Sequence, residues 1–459
     1  MLDATSGPLD GRFLVIGDTP LARRVCATLG AAGGQAHVVH LTAPSDAQLA
    51  VAVDSDVAHA LVLVRDDVSA LRYALATSHL APALPLVVTV FDHTIATQLR
   101  ALQPRARVVS PALAAVPSLV GPCLDGQVVA AFAERGDVLV LRRDDHNDFE
   151  EDRRALPRPS RAQVLSRRLT VNYRHLQPSG RILAQGLAGL AVVLVLDWSW
   201  LALVAGHPPV AALGEAVRVL ATVGPGPEHP SGAYGLLSAF AMLATIVLTA
   251  LFTAGLVDRF VEPRLVRLGG SGAVPRTGHV VVVGLGQVGV RLCQRLTEQA
   301  VAVVAVERDH DAAGVALARQ LQIPVIIDDG TSRRLLERLR LDRCLAVAAV
   351  GSDDLDNVAV AVAASAVSPS VRVVMRAGEQ EAVAETRSLL PLGITRDVTA
   401  IGAAHVLTLA LRAREDVRVA GDGDAVHVRV GTGEWRELPL ARRDECRHLV
   451  SAAPDSPHP

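Results

Sequence analysis

The chain has 459 residues, a length that favours about three domains. Its 45 basic and 47 acidic residues leave a formal charge of −2, which gives no support to a nucleic-acid-binding protein. Half of the residues are hydrophobic and the mean hydropathy of +0.33 is high for a soluble protein, so membrane segments are expected. The five cysteines are scattered without metal-ligand spacing, so we expect reduced thiols and no metal site, and the first residues do not resemble a signal peptide.

Apolar stretches alternate with helix-like stretches across residues 11–124, and this alternation predicts a parallel, doubly wound α/β sheet. The turn after the first strand keeps only Gly17 of a G-x-G-x-x-G pattern, with Thr19 and Ala22 at the other two glycine positions. Leu41 and Thr42 end the second strand, where a nucleotide-binding copy would place an acid. We therefore interpret residues 1–124 as a degenerate copy that serves as a scaffold.

The next segment, residues 125–181, is interpreted as a connector with a solvated acidic run at 144–154. It is rich in arginine towards its end, at Arg153, Arg154, Arg158, Arg161, Arg167, Arg168, Arg174 and Arg181. Further arginines follow at Arg259, Arg264 and Arg267, whereas the stretch between the two apolar runs described next has only Arg218. By the positive-inside rule both flanks, and hence both termini, are expected in the cytoplasm.

Two apolar runs, 182–204 and 233–257, are each long enough to cross a bilayer as a helix. An amphipathic stretch lies between them and ends in Thr222, Val223, Gly224, Pro225 and Gly226. Non-helical backbone at membrane depth is tolerated where it is buried in protein or lines a water-filled path. Residues 182–258 therefore predict a two-helix membrane domain with a re-entrant loop. The alternative is a Gly/Pro-rich extracellular turn between two helices.

This order of helix, short helix, filter-like loop and helix resembles the pore of two-helix potassium channels. Thr222, Val223, Gly224 and Gly226 match the family's selectivity filter, whereas Pro225 replaces its aromatic residue and lacks the N–H group. The resemblance implies that backbone carbonyls of this loop replace the hydration shell of K⁺ or another monovalent cation. One such loop per chain implies a homotetramer in the plasma membrane.

Two residues within the apolar runs allow alternative interpretations. Asp197, followed by Trp198, either marks the point where the first helix leaves the bilayer or faces the protein interior near the pore. Gly255 in the second run is either a site of close helix packing or a hinge.

A second α/β domain is predicted at 277–400, and its motif is complete. A strand leads into Gly284, Gly286 and Gly289 of a full G-x-G-x-x-G that opens a helix. About 20 residues further on, Glu307 ends the second strand, where an acid can accept hydrogen bonds from ribose hydroxyls. The pattern predicts a nucleotide whose pyrophosphate lies on the helix N-terminus, and the alternative is a packing turn.

The remainder of this domain resembles the RCK (regulator of potassium conductance, TrkA-N-like) family. Asp328, Asp329, Gly330 and Thr331 match one family motif, and the acidic turn that ends in Asn357 matches another. The resemblance implies NAD or an adenine nucleotide (ATP or ADP) as ligand. Its implied contacts are Gly284, Gly286, Gln287, Val288, Gly289, Glu307, Arg308 and Asp329. Residues 1–124 resemble the same family more weakly, so the chain is interpreted as a tandem repeat split by the membrane segment.

Residues 401–450 predict a helix and then a small β appendage with a hairpin turn near Gly421 to Asp424, and 451–459 predict a disordered tail. His405 lies on the apolar helix and is interpreted as a packed residue. No set of residues suggests a catalytic site, so we expect no enzyme.

Together these features predict two Rossmann-like α/β domains that flank an α-helical, two-span membrane pore domain. The favoured function is a potassium or other monovalent cation channel regulated by cytoplasmic nucleotide-binding RCK domains. The alternatives are a non-conducting nucleotide sensor in the membrane, a regulatory subunit of a separate potassium transport system, and an NAD-dependent oxidoreductase.

Overall fold

The computed structural model divides the chain into two compact units, Met1–Ser160 with Leu268–Pro459, and Arg161–Arg267. We call the first the double α/β unit and the second the helical unit. The structure describes residues 11–31, 36–53, 56–134, 136–144, 148–155, 178–224, 232–261, 277–378, 393–412, 416–423 and 425–441. The tail predicted at 451–459 lies outside these ranges.

The first half of the double α/β unit is a parallel five-stranded sheet in the order β2-β1-β3-β4-β5, which confirms the predicted doubly wound fold. Its strands are β1 Gly11–Ile16, β2 Ala36–Leu41, β3 Val57–Val62, β4 Leu86–Thr89 and β5 Arg107–Val109. Its helices are α1 Pro20–Ala31, α2 Asp46–Val53, α3 Asp67–Leu80, α4 His93–Leu102 and α5 Pro111–Leu124. Asp66 and Asp92 start α3 and α4 by accepting hydrogen bonds from backbone N–H groups of the first turn.

The predicted connector at 125–181 is wrong over its first part, which folds into an antiparallel three-stranded sheet. Its strands are β6 Val128–Glu134, β7 Asp137–Arg143 and β8 Phe149–Ala155. The acidic run lies largely in β8, whose residues are mostly exposed, so its charges face solvent from a strand rather than from a linker.

The second half repeats the first with a parallel six-stranded sheet in the order β11-β10-β9-β12-β13-β14. Its strands are β9 His279–Val283, β10 Ala302–Glu307, β11 Val325–Ile327, β12 Ala346–Ala349, β13 Val373–Ala377 and β14 Ile394–Asp397. Its helices are α9 Gln287–Glu298, α10 Ala313–Gln320, α11 Arg333–Arg338, α12 Asp354–Val367 and α13 Val398–Leu411. The second predicted doubly wound domain is thus confirmed.

A small antiparallel sheet follows α13, as the hairpin near Gly421 predicts. Its strands are β15 Val417–Asp422, β16 Ala425–Val430 and β17 Arg436–Glu437. The predicted boundary at residue 401 is wrong, because α13 runs without a break from Val398 to Leu411. Each half therefore ends in the same order: sheet, one long helix, and three antiparallel strands.

The two halves share their cores because each contributes its last helix to the other. Buried residues of α5, including Leu119 and Cys123, pack in one cluster with Leu292 and Leu296 of α9. In return, Ala403, Val406, Leu407 and Ala410 of α13 pack with Phe13 and Val15 of β1. Side chains point to opposite faces along a strand, so Leu14 and Ile16 belong to a separate cluster on the far side of the first sheet.

Polar contacts tie the exchanged elements together. Arg24 of α1 forms an ion pair with Asp397 at 2.6 Å, with both side chains about four-fifths buried. Arg396 donates from Nε to the carbonyl of Ser118, whose hydroxyl accepts from the Gly421 N–H at 2.9 Å. The halves are therefore one folding unit even though the helical unit lies between them in sequence.

His405 of α13 is packed, as predicted, and burial lowers its pKa to about 4 from 6.5. The unfolded chain then binds the extra proton between pH 6.5 and about 4, so this histidine's contribution to stability is complete above pH 6.5 and is lost as the pH falls through that window. We expect about 2 kcal/mol less stability at pH 5 than at pH 7 from this group. Burial also lowers the pKa values of His59, His279 and His427. The test is to measure the melting temperatures of the full chain and of its His405→Asn variant between pH 7 and pH 5. If the melting temperatures of the two proteins change equally with pH, the prediction for His405 is contradicted.

Within residues 178–224 and 232–261, the helical unit has the helices α6 Pro178–Leu203, α7 Pro209–Leu220 and α8 Gly232–Val261. Within α6 and α8, Gln185–Leu203 and Tyr234–Ala254 are long and apolar enough to cross a membrane, with mean hydropathies of 1.9 and 2.2. Only 17% and 11% of these windows are buried, whereas the core helix of a soluble protein would be mostly buried. A Cβ on Gly186 would lie 3.0 Å from the backbone nitrogen of Phe252, so a glycine lets α6 and α8 approach closely.

Candidate functional site

The glycines of the predicted phosphate loop each have a distinct structural role. Gly284 has a φ of +95°, and a Cβ there would lie 2.7 Å from the backbone of Gly351 on the neighbouring strand end. Gly289 lies directly against the carbonyl of Gly284, and Val288 is buried beneath the loop. These three residues shape the loop, and Val288 and Gly289 do not line the cleft above it.

Gly286 is the residue that faces open space. It is the N-cap of α9, has no side-chain capping bond, and a Cβ on it would meet nothing within 4 Å. The first N–H groups of a helix lack intrahelical partners and attract anions. The loop therefore presents an uncapped helix N-terminus to a cleft with room for a phosphate group.

The acid predicted at the end of β10 is held in place by the backbone. Glu307 accepts hydrogen bonds from the N–H groups of Leu285 (2.6 Å), Arg308 (2.8 Å) and Asp309 (3.1 Å). One carboxylate oxygen thus reaches the phosphate loop and the other closes its own turn. Oε2 accepts only the bond from Leu285 and therefore keeps a lone pair for a ribose hydroxyl.

Asp329 and Arg308 lie on the same side of the cleft. Asp329 accepts from the N–H and the hydroxyl of Thr331, and these bonds, together with the charge of Arg308, lower its pKa. Arg308 lies 3.5 Å from Asp356 of α12 and is largely exposed. Asn357 fixes the opposite wall, since its amide exchanges hydrogen bonds with both the N–H and the carbonyl of Gly351.

These groups surround a cleft of about 880 Å³, within the range of ligand-binding sites. Of the predicted cofactor residues, the structure brings together six along this cleft: Gly284, Gly286, Gln287, Glu307, Arg308 and Asp329. Sequence reasoning missed the outer wall, which includes Asp67, Phe91, Asp92 and Thr94 from the first half and Arg291 and Gln294 from α9. Arg291 donates to the carbonyl of Phe91 at 2.9 Å. A local sequence pattern cannot reveal a contact between residues that are 200 positions apart in the chain.

The corresponding loop of the first half is closed by its own side chains. His40 is fully buried and hydrogen-bonds to the carbonyl of Gly17 at 2.7 Å. Thr19 donates to the carbonyl of Leu63 and accepts from the N–H of Ala22, while Arg23 pairs with Asp18. This arrangement supports the interpretation of the first half as a scaffold copy.

The filter-like segment is described as far as Gly224, and Pro225 and Gly226 lie outside the described residues. Thr222 has a φ of +57° and donates to the carbonyl of Val219, and Val223 donates to that of Arg218. This pair of bonds is a Schellman motif, which ends a helix and satisfies its last carbonyls. In this chain Thr222 and Val223 thus terminate α7, and their part in a filter stays a prediction.

Asp197 of α6, Glu215 of α7 and Tyr234 of α8 form a polar cluster where the three helices meet. The structure continues α6 past Asp197 to Leu203 and places Asp197 in the interior, with 3% of its surface exposed, so the helix does not end at this residue. Tyr234 of α8 lies close enough to Asp197 and to Glu215 of α7 to interact with both carboxylates electrostatically. Trp198 also donates to the carbonyl of Pro209 at 3.0 Å. These contacts brace the short helix against both candidate spans. Whether Gly255 is a hinge stays a prediction, although α8 runs unbroken to Val261.

Residues 280–399 match the model of the TrkA-N domain family, so this part of the chain is a TrkA-N domain. Among curated proteins, Potassium channel protein 1 of Methanocaldococcus jannaschii is 22% identical over 198 residues, which cover 42% of this chain and 60% of that protein. K(+) efflux antiporter 2, chloroplastic, of Arabidopsis thaliana is 32% identical over 100 residues, which cover 22% of this chain and 8% of that protein. The chain thus spans less than two thirds of either relative.

Among solved structures, the crystal structure of the GsuK RCK domain is similar to 89% of this chain, with 80% of that chain covered, 13% sequence identity and a TM-score of 0.48. The GsuK channel bound to NAD is similar to 46% of this chain, with 40% of that chain covered, 17% identity and a TM-score of 0.30.

Proposed function

We propose that this chain is the subunit of a homotetrameric, potassium-type cation channel whose opening depends on a nucleotide bound in the cleft above Gly286. The proposal rests mainly on the order of elements: a short helix, followed by Thr222, Val223 and Gly224, lies in sequence between two largely exposed apolar helices. The same chain also contains a TrkA-N domain. The similarity to a protein named as a potassium channel supports the same function.

The shared core of the two halves supports the proposed topology. Because α5 and α13 are exchanged between halves, both halves must lie on one side of any membrane. The segment between them then crosses an even number of times, and two candidate spans satisfy this condition. With arginines on both flanks, we place both halves and both termini in the cytoplasm and the short helix towards the outer face of the plasma membrane.

The nucleotide would act as a regulator that is bound and not consumed. A ligand shifts opening only if it binds one conformation of the double α/β unit more tightly than another. The excess of acidic groups around the cleft, among them Glu307, Asp329 and Asp356, favours an unphosphorylated ribose such as that of NAD, ADP or ATP.

Potassium flux into liposomes that contain the purified full chain tests the pore. Gly224 has a φ of +90° and open space around its Cβ position, and Gly206, between α6 and α7, has a φ of +74° and equally open space. The two glycines therefore form a matched pair. We expect Gly224→Asp to abolish flux and Gly206→Asp to retain it, because only the first places a charge in the proposed ion path.

The same assay with NAD, ADP or ATP added gives the direction of regulation. Flux that survives Gly224→Asp would contradict a pore at this loop. No flux from a folded tetramer with any of these nucleotides would contradict the channel and favour the second candidate, a non-conducting membrane sensor, which the intact cleft and the helix-terminating conformation of Thr222 would still allow.

A further inference from the structure

A second cavity, of about 710 Å³, lies inside the double α/β unit where the two halves meet. Its walls come from the start of α5, the ends of β4 and β5, α13 and β15. It is separate from the nucleotide cleft, although Phe91, Asp92 and Arg291 border both. None of the sequence motifs points to it.

The cavity is lined by an excess of positive charge. Four arginines reach it, Arg100, Arg107, Arg291 and Arg418, and only Arg418 is ion-paired among the described residues, with Glu134 and Asp416. The one lining carboxylate, that of Asp92, is engaged in capping α4. Arg107 is half-buried and forms no ion pair with any residue that the structure describes. Charges of one sign in a partly enclosed cavity raise the local concentration of the opposite ion.

Several polar atoms at this cavity are buried without a hydrogen-bond partner among the described residues. They are Nη1 of Arg418, Nδ1 of His405 and Oγ of Ser110. Arg418 is held in place by an ion pair between its Nη2 and Glu134 at 2.6 Å, and its guanidinium lies over the ring of Phe132. Its remaining donor is therefore fixed in position. An unsatisfied buried polar atom destabilises the folded protein, and a ligand that pairs with this atom recovers that loss.

Ser110 adds a helix terminus to these groups. It is the N-cap of α5, but its hydroxyl makes no capping bond, and the helix begins with Pro111. The start of this 14-residue helix, whose first N–H groups lack intrahelical partners, lines the same cavity through Ser110, Leu113 and Ala114. The other walls are apolar and include Val90, Pro117 and Leu409.

We propose that this cavity binds an organic anion, a phosphate or carboxylate group carried on an apolar body, with the anionic group between Arg107, Arg418 and the start of α5. The cavity volume suits a small organic molecule, and its combination of cationic donors with apolar walls suits neither a metal ion nor a neutral sugar. The site stands independently of the proposed channel function.

Isothermal titration of the full chain in detergent with phenyl phosphate tests this site, and phenol and inorganic phosphate serve as comparison probes. We expect phenyl phosphate to bind, phenol not to bind detectably, and inorganic phosphate to bind at least tenfold more weakly than phenyl phosphate. Arg107→Gln should weaken phenyl phosphate binding at least tenfold. Arg333→Gln, a change at an arginine that is 80% exposed on α11, should leave it unchanged.

The Gly286→Ala variant separates this cavity from the nucleotide cleft. Phenyl phosphate binding that persists in Gly286→Ala and falls in Arg107→Gln supports the proposal. Binding lost in Gly286→Ala but kept in Arg107→Gln would assign the probe to the nucleotide cleft and overturn it. Absence of phenyl phosphate binding in a protein that still melts cooperatively would overturn it as well.

Discussion

Gly286→Ala is expected to remove nucleotide binding while leaving the fold intact. The φ of Gly286 is −65°, which alanine adopts without strain, and its Cβ would meet nothing within 4 Å. A methyl group at this point would occupy the space where a pyrophosphate must approach the start of α9. We expect affinity for NAD, ADP or ATP to fall at least tenfold, which corresponds to about 1.4 kcal/mol or more. Loss of an N-cap glycine should cost no more than about 1 kcal/mol of stability.

Two glycines provide the controls for this experiment. Gly126 lies in a turn remote from the cleft, where a Cβ would make ordinary contacts with Arg372, so Gly126→Ala should retain binding. Gly284→Ala combines a φ of +95° with a 2.7 Å approach to Gly351 and should lower the melting temperature. Titration calorimetry and thermal melting of the same preparations give both quantities. Undiminished binding in Gly286→Ala would place the phosphates elsewhere and contradict the proposed cleft.

Leu119→Ala, in the first half of the double α/β unit, is expected to destabilise the second half, and Leu407→Ala, in the second half, is expected to destabilise the first. Leu119 is fully buried in α5 but packs with residues of β9 and α9, and Leu407 is buried in α13 but packs with β1 and α1. Truncating a buried leucine to alanine costs about 2–5 kcal/mol. Hydrogen exchange should therefore accelerate first around β9 in Leu119→Ala and around β1 in Leu407→Ala.

The two variants are each other's control, since both remove the same atoms from the same kind of site. Leu102→Ala at the exposed end of α4, where the side chain is 60% exposed, should change stability by less than about 0.5 kcal/mol. Faster exchange confined to the sequence half that carries the substitution would contradict the exchange of α5 and α13.

The parts of the fold that the sequence predicts are those with strong local signals. The strands around Gly284 and Glu307 are continuous apolar runs between turn residues, and the spacing of the loop and the acid is fixed by one strand-helix-strand unit. The two candidate spans are similarly evident from length and lack of charge. Six of the predicted cofactor residues therefore lie along one cleft.

The parts that could not be predicted depend on which surfaces meet. The apolar pattern of α5 shows that it is buried but not against which sheet, and the pairing of Arg291 with Phe91 joins positions far apart in the chain. The sheet from β6 to β8 was missed because β8 is charged along most of its length and lacks a clear alternation. Thr222 matches a selectivity filter in the sequence, and the structure gives it a role in ending α7 that a Thr-Val-Gly pattern does not indicate.

The exchange of α5 and α13 also sets an order of events when the protein is made. The first sheet is complete by Val109, but part of its covering layer, α13, is synthesised only after both candidate spans and the whole second sheet. Both candidate spans are thus synthesised while Phe13 and Val15 of β1 still lack their partners from α13, and α5 is synthesised before the strands of the second sheet on which it packs. A chain that stops before Val398 leaves this apolar surface uncovered, and exposed apolar surface makes incomplete chains prone to aggregate.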